Sequence, residues 1–310
     1  MNKIFVIIII QEMYVPCFIL YSKTNSYFPQ KTYKLHLRKK VGEGSYGVIY
    51  EINKNYVLKL FRNSYADLNQ SDESAHIIPF KNENREINFF IQYIKSNQSK
   101  SNFFINVKTI GVILINVILD NQLFKKKSYF MIMPECVSIH KLLNTWKKPL
   151  INNKNGIDIV LNIMKRIIDI QLLLYNQHKI YNLDIKLDNF MIESSKKLAI
   201  DNIINIDFGL IKSKNQHLYN LHYDYYYWPN GENIKLEKIP AYSLCVNGLE
   251  ILFGKQEHDL SGKMKSKVED QLSLLRNNKE VYNIFYNGLL LKVNLKQLLK
   301  LIVFYLDNQK

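Results

Sequence analysis

The pattern of hydrophobic positions changes near the middle of the chain. Between residues 33 and 133, short runs of β-branched and aromatic residues are separated by polar turns, which is typical of β-strands. Beyond Pro134, apolar residues recur every three or four positions, which is the pattern of amphipathic helices. The sequence therefore predicts an α+β chain with a strand-rich part (about 33–133) followed by a mainly helical part (about 138–310).

The strand-rich part is expected to contain one helix near 82–95. A run of three lysines at 125–127 is interpreted as a solvated turn between strands. Strands are predicted at 33–40, 47–52, 55–61, 103–110, 112–119 and 129–133.

In the later part, a short helix is predicted at 139–146 and a long one from Ile157 to about Gln177. Two short paired strands, 190–192 and 203–206, are expected to flank a polar turn. Helices resume at 242–253 and continue to Tyr305.

Residues 1–32 are interpreted as an N-terminal extension. The apolar run 5–10 follows Lys3 and predicts an extra strand, or else an upstream start outside the fold. A signal peptide is a third interpretation. It is disfavoured because Gln11 and Glu12 interrupt the run.

Composition narrows the class of protein. The 310 residues carry a net charge of +15, which favours acidic partners such as nucleic acid, a membrane surface or acidic protein substrates. Abundant Asn, Lys, Ile and Tyr, as encoded by AT-rich genes, would produce the same charge. No specific nucleic-acid motif is present, and no segment reaches the roughly 18–20 apolar residues of a transmembrane helix. Oligomeric state is not readable.

The spacing of the cysteines and histidines indicates neither a disulfide framework nor a zinc site. Cys17, Cys136 and Cys245 are widely separated and form no C-x-x-C pair, which indicates a reducing, intracellular compartment. His140 and His178 have no metal-ligand spacing and are interpreted as structural.

A glycine-rich segment lies early in the strand-rich part. Residues 41–48 read V-G-E-G-S-Y-G-V and fit the pattern G-x-G-x-x-G-x-V. A Rossmann loop would open a helix, but here two apolar runs and a polar turn follow, which predict a hairpin. Glycines allow a tight turn whose amides can lie over phosphates. The candidate binding residues are Val41, Gly42, Glu43, Gly44, Ser45, Tyr46, Gly47 and Val48.

Lys59 lies within the apolar run that follows. An unpaired buried ammonium is costly, so Lys59 requires an anionic partner. Glu86 begins the apolar face of the predicted helix and is one candidate. Glu83, one turn earlier, is the alternative.

Two short strings in the later part carry the strongest chemical signal. Residues 181–189 read Y-N-L-D-I-K-L-D-N, and residues 206–209 read I-D-F-G. Phosphoryl transfer from a metal-bound nucleotide requires such a group: a carboxylate that orients the attacking hydroxyl, a lysine, and an Asn and a carboxylate for the metals. Asp188 is interpreted as a solvated loop carboxylate. The candidates are Asp184, Lys186, Asn189 and Asp207.

Together with the glycine loop, these strings resemble eukaryotic-type Ser/Thr protein kinases over roughly residues 35–255. The resemblance implies a two-lobed protein kinase-like fold, with a small lobe at about 33–133 and a large lobe at about 138–310. It implies ATP and Mg²⁺, with Asp184 as catalytic base, Lys186 at the transferred phosphoryl group, and Asn189 and Asp207 as metal ligands.

The resemblance also implies a hinge at 131–136. Met133 would be the gatekeeper, and the backbone of Glu135 and Cys136 would meet adenine. Lys59 would bind the nucleotide phosphates and the glutamate of the helix, for which the resemblance favours Glu86 over Glu83.

The chain departs from this family in three places. Asn182-Leu183 replaces His-Arg, Trp228-Pro229-Asn230 replaces Ala-Pro-Glu, and Pro240 takes the place of an aspartate that braces the catalytic loop. Without the arginine, activity is expected not to depend on activation-loop phosphorylation. Without the aspartate, another group must brace the loop. A tyrosine cluster is expected to pack against the large lobe, with autophosphorylation as the alternative: Tyr223, Tyr225, Tyr226 and Tyr227.

The sequence therefore indicates an ATP-dependent kinase that phosphorylates Ser/Thr of proteins. Alternatives are a pseudokinase scaffold and a small-molecule kinase of related fold. The composition and departures resemble divergent kinases of large DNA viruses, including poxviruses, which implies a host-cytoplasmic location.

Overall fold

A computed structural model describes residues 5–10, 13–22, 33–36, 39–44, 47–61, 86–87, 89–90, 103–119, 122–145, 149–153, 155–213, 228–229, 234–254 and 264–309. The chain divides into two compact units. The first comprises Met1–Cys136 and Glu193–Ser195, and the second comprises Val137–Ile192 and Lys196–Lys310.

The first unit is built on an eight-stranded sheet of order β3-β1-β2-β7-β8-β6-β5-β4. Neighbouring strands run antiparallel except for β1 and β3, which are parallel. The strands are β1 (Phe5–Ile10), β2 (Met13–Ser22), β3 (Tyr33–His36), β4 (Lys40–Gly44), β5 (Gly47–Asn53), β6 (Tyr56–Phe61), β7 (Thr109–Leu119) and β8 (Gln122–Pro134).

The hairpin predicted after the glycine-rich segment is confirmed. β5 and β6 pair antiparallel, and Lys54-Asn55 forms the turn between them. The side-chain oxygen of Asn53 accepts the backbone N–H of Asn55 at 2.9 Å and that of Tyr56 at 3.0 Å, which is a turn stabilised by Asn. The apolar run 5–10 is also a strand, as one interpretation of that segment expected.

Two expectations for the later strands are wrong. The lysines at 125–127 lie within β8, paired with 114–116 of β7, because backbone ladder pairing does not depend on side-chain polarity. The predicted strand 103–110 is largely irregular, and β7 begins only at Thr109. Phe104, Ile105 and Val107 are nonetheless buried, so their apolar character reflects burial in the core.

The second unit is mainly helical, with short strands between the helices. Only a few residues of an earlier helix, α1, are described, all in the first unit: Glu86, Ile87, Phe89 and Phe90. The further helices are α2 (Ile139–Leu143), α3 (Gly156–His178), α4 (Ile239–Phe253), α5 (Met264–Leu274), α6 (Lys279–Leu289) and α7 (Leu295–Asn308). The short strands are β9 (Cys136–Ser138), β10 (Ile180–Asn182), β11 (Phe190–Glu193), β12 (Ile203–Asn205) and β13 (Ile211–Ser213).

Helix α3 is the long predicted helix, and it supports the candidate site. On its predicted apolar face, Val160, Leu161, Met164 and Ile168 are buried, and Ile157 and Leu172 are half-buried. Arg166 donates from Nε and Nη2 to the carbonyl of Ile203 in β12, at 3.1 and 3.0 Å. The helix ends at His178, and the left-handed backbone of the next residue, Lys179 (φ +56°), turns the chain into β10.

The chain is therefore of mixed α and β structure, with a mainly antiparallel sheet followed by a mainly helical part, as the hydrophobic pattern predicted. Within the described ranges, no helix combines the length and apolar character needed to cross a bilayer.

Candidate functional site

In the first unit, Lys59 and Glu86 form a buried ion pair. The Lys59 ammonium lies 2.9 Å from Oε1 and 2.8 Å from Oε2 of Glu86. Lys59 is 8% exposed and Glu86 is fully buried, so each charge would be costly without the other. The predicted pairing of Lys59 with Glu86 is present in the structure, while Glu83 lies outside the described residues.

Aromatic packing holds α1 in place for this pair. Phe89 meets the ring of Phe90 at a centroid distance of 5.5 Å and that of Phe104 at 6.1 Å, both edge-on. Ile87 is also buried. These buried side chains anchor the helix that carries Glu86, which contacts Lys59 of strand β6.

The glycine-rich segment forms the β4–β5 hairpin. Gly44 pairs with Gly47 at its tip, and Ser45 and Tyr46 lie outside the described residues. A Cβ on Gly47 would lie 2.6 Å from the Leu60 carbonyl oxygen, whereas one on Gly42 would meet nothing closer than the Ile49 side chain at 3.7 Å. Of these two positions, the strand pairing therefore requires a glycine at 47 and not at 42. Val41 is exposed, Val48 is half-buried and Glu43 forms an ion pair with Lys40.

The segment expected to meet adenine follows β8. Met133 is buried and pairs with Val57 of β6. The N–H of Glu135 donates to the Asn55 carbonyl at 2.8 Å, and its carbonyl accepts from the Ser194 N–H at 2.9 Å. The N–H of Glu135 is therefore already bonded within the protein, and only a remaining carbonyl lone pair is left for a base. At Cys136, Sγ contacts the Pro134 carbonyl at 3.6 Å.

In the second unit, two pairs of short strands hold the two chemical strings side by side. β10 pairs with β13, and β11 pairs with β12, both antiparallel. The stretches 183–189 and 206–210 are thus fixed at both ends. Further backbone bonds join them: the Leu183 N–H donates to the Leu210 carbonyl at 3.1 Å, and the Ile206 N–H donates to the Asn189 backbone carbonyl at 3.0 Å.

Asp184 is the most enclosed carboxylate of this site. It is 5% exposed, and its Oδ2 accepts the Asn189 amide at 2.8 Å and lies 3.1 Å from the Lys186 ammonium. The same Asn189 nitrogen also donates to the Asp184 backbone carbonyl at 2.8 Å. The three residues that the sequence grouped are therefore in direct contact.

The surroundings of Asp184 raise its pKa. Burial is the largest cause, because it disfavours the charged carboxylate, and the nearby charge of Asp207 acts in the same direction. The charge of Lys186 and the hydrogen bonds from Lys186 and Asn189 oppose the rise in pKa. The net effect of burial and of these hydrogen-bond donors is a pKa above the usual aspartate value.

Asn182 joins the two strings, and the sequence singled it out only as a departure from His-Arg. Its Nδ2 donates to the Asp207 carbonyl at 2.9 Å, and its Oδ1 accepts the Asp184 N–H at 3.0 Å. Asn205 plays a related part, accepting the Asp207 N–H at 3.2 Å. The sequence signal for this role was an asparagine at the end of each of the two strands, β10 and β12, because a buried side-chain amide needs hydrogen-bond partners.

Asn189 and Asp207 fit the expected role of oxygen ligands. Oδ1 of Asp207 accepts the Gly209 N–H at 2.9 Å, which fixes the carboxylate. No cluster of three or more His, Cys, Asp or Glu suited to a metal occurs among the described residues. A Mg²⁺ ion does not need such a cluster, because one or two protein oxygens are enough when substrate phosphates and water complete its coordination shell.

The remaining predicted residues are accounted for as follows. The side chain of Asp188 is 62% exposed, and its Oδ1 lies 3.6 Å from Nε2 of His140. At His178, burial lowers the pKa of the imidazole. The tyrosine cluster at 223–227 and Asn230 lie outside the described residues. Leu183, at the position of the missing arginine, is fully buried in an apolar cluster with Leu210, Trp228, Ile239 and Val246.

Comparisons of the chain with protein-family models and with curated proteins find no match.

Proposed function

We propose that the chain is an ATP-dependent protein kinase that transfers the γ-phosphoryl group of ATP to Ser or Thr hydroxyls of proteins. The observation that carries this proposal is the contact group around Asp184. A buried carboxylate touches both a lysine ammonium and an asparagine amide, beside a second carboxylate on the adjoining stretch. This donor and acceptor set is what in-line phosphoryl transfer requires.

Each of these residues has a distinct part in the proposed reaction. Asp184 orients the substrate hydroxyl and accepts its proton. The hydroxyl oxygen bonds to the γ-phosphorus as the bond from that phosphorus to the β–γ bridging oxygen breaks, leaving ADP. Lys186, which forms an ion pair with Asp184, stabilises the negative charge of the transferred phosphoryl group. A Mg²⁺ ion held by Asn189 and Asp207 would supply charge neutralisation for the phosphates.

The first unit supports the proposal independently. Lys59 is held by both oxygens of a buried glutamate, so its ammonium is fixed in position without relying on a ligand. In kinases such a lysine contacts the nucleotide phosphates, and the glycine hairpin β4–β5 lies on the same sheet. The excess of positive charge in the sequence favours acidic protein substrates.

The test measures label transfer from γ-labelled ATP with Mg²⁺ to casein, myelin basic protein and histone. Wild type is compared with Asp184→Asn and with Asp188→Asn as the matched control. The control removes an exposed carboxylate from the same loop. We expect label on Ser or Thr with wild type and Asp188→Asn, stronger on acidic casein than on basic histone, and none with Asp184→Asn.

The other outcomes separate the alternatives. Nucleotide binding by thermal shift without transfer to any acceptor would favour a scaffold. Transfer to small-molecule alcohols but not to proteins would favour a small-molecule kinase. Equal transfer by wild type and Asp184→Asn would contradict the proposed role of Asp184.

A further inference from the structure

The loop that carries Asp184 is held by side chains at three successive backbone carbonyls. The Leu183 carbonyl accepts the Trp228 indole N–H at 2.9 Å, and the Asp184 carbonyl accepts the Asn189 amide at 2.8 Å. The Ile185 carbonyl accepts the Asn247 amide at 2.8 Å. Buried carbonyls need such donors, and here none of the three donors is a backbone N–H.

Two of the donors come from distant parts of the second unit. Trp228 is 5% exposed and packs in the apolar cluster with Leu183 and Val246. Asn247 is 1% exposed and lies on α4, where its amide also donates to the Ser243 carbonyl at 2.6 Å. Rigid, buried donors of this kind restrict the loop more than exposed ones would.

From the sequence, another group is expected to brace the loop, because Pro240 stands where the resembling kinases have an aspartate. That proline lies in the first turn of α4 and has no side-chain group able to hold the loop. Asn247 reaches the loop from farther along the same helix, and Trp228 reaches it from the segment that replaces Ala-Pro-Glu. Both donors flank the carbonyl of Asp184.

We propose that Trp228 and Asn247 are positioning residues that fix the Asp184 carboxylate by holding the carbonyls of Leu183 and Ile185 on either side of it. The inference rests on the proposed phosphoryl transfer. Neither side chain touches a reacting group. They act by limiting the positions that Asp184 can adopt, and small displacements of a catalytic group lower the rate strongly.

The test uses Trp228→Phe and Asn247→Leu, which remove the donors and keep most of the side-chain volume. Asn287→Leu is the matched control. Asn287 makes the same kind of bond to a carbonyl one turn earlier (Asn283, 2.7 Å), but none to the loop. For each donor variant we expect kcat to fall about 10- to 100-fold with KM for ATP nearly unchanged, and the control to match wild type.

A second readout does not depend on activity. Hydrogen–deuterium exchange of peptides covering 183–189 should be faster in both donor variants than in wild type and Asn287→Leu, at equal folded fractions by circular dichroism. A structural role alone would lower the thermal midpoint without a selective loss of kcat.

The outcomes distinguish the two proposals. If wild type transfers phosphate and both donor variants keep kcat, the positioning inference fails and the proposed function stands. If wild type transfers nothing, the proposed function fails, and the exchange of 183–189 alone decides whether the two side chains fix the loop. Unchanged exchange in both variants would overturn the inference.

Discussion

The side-chain amide nitrogen of Asn189 donates at 2.8 Å to both the carboxylate and the backbone carbonyl of Asp184. One nitrogen thus fixes the main chain and the side chain of the same residue. The amide oxygen of Asn189 takes no part in holding Asp184. Under the proposed function, the same asparagine would therefore orient the candidate base through its nitrogen and could bind Mg²⁺ through its oxygen.

The raised pKa of Asp184 predicts that Asp184→Asn is more stable than wild type at neutral pH. Because the folded-state pKa lies above the unfolded value, the stabilising contribution of this carboxyl is present at low pH and is lost as the pH rises through the folded-state pKa. We expect a higher thermal midpoint for Asp184→Asn at pH 7, without metal or nucleotide, together with loss of transfer.

The pH dependence checks the sign of this effect. The difference in midpoint between Asp184→Asn and wild type should shrink as the pH is lowered towards the usual aspartate pKa. Asp188→Asn, in which the altered side chain is exposed, should show no such trend. A lower midpoint for Asp184→Asn at pH 7 would contradict the assignment.

Breaking the buried pair of Lys59 and Glu86 is expected to destabilise the protein. Lys59→Met would remove the Lys59 cation from the fully buried Glu86 carboxylate, at a cost of about 3–5 kcal/mol in the free energy of unfolding. Lys59→Met/Glu86→Leu should recover part of this stability because no buried charge remains. Urea denaturation of the three proteins measures both effects.

Lys39→Met is the control for this pair. Lys39 lies 3.8 Å from Glu51 and its side chain is 73% exposed, so its removal should cost about 0–1 kcal/mol. Equal costs for Lys39→Met and Lys59→Met would show that burial does not govern the pair.

The glycine hairpin gives a matched pair of stability predictions. Gly47→Ala would place a methyl group 2.6 Å from the Leu60 carbonyl oxygen, and relieving that overlap should cost about 1–3 kcal/mol. Gly42→Ala meets only ordinary contacts and should change stability by less than about 0.5 kcal/mol. Denaturant midpoints compare the two; an equal decrease in both variants would argue against the close approach of β5 to β6.

Phosphatase treatment is expected to leave the proposed activity unchanged. The residue before Asp184 is Leu183, which is fully buried in an apolar cluster and offers no cation for a phosphorylated segment. Specific activity before and after treatment, with removal of phosphate verified by mass spectrometry, is the measurement. Abolished activity after treatment would contradict this expectation.

The sequence by itself determined most of the local structure and identified the candidate site residues. Two apolar runs separated by a polar turn predicted the β5–β6 hairpin. Helical spacing predicted α3, because that spacing reflects burial of one helix face. Lys59 within an apolar run required an anionic partner, the kinase resemblance implied a helix glutamate, and Glu86 forms that contact in the structure. The spacing of Asp184, Lys186 and Asn189 placed them in one short loop, where contact follows from proximity in the chain.

Only the tertiary structure decided which distant side chains hold that loop. Trp228 and Asn247 lie 45 and 62 residues from the carbonyls they bind, and no local pattern marks them as donors. The extension of β8 through its lysines was also hidden, because strand pairing is made by backbone groups that all residues share. Periodicity reports which face is buried, whereas the partner of a buried polar group is set by how the elements pack together.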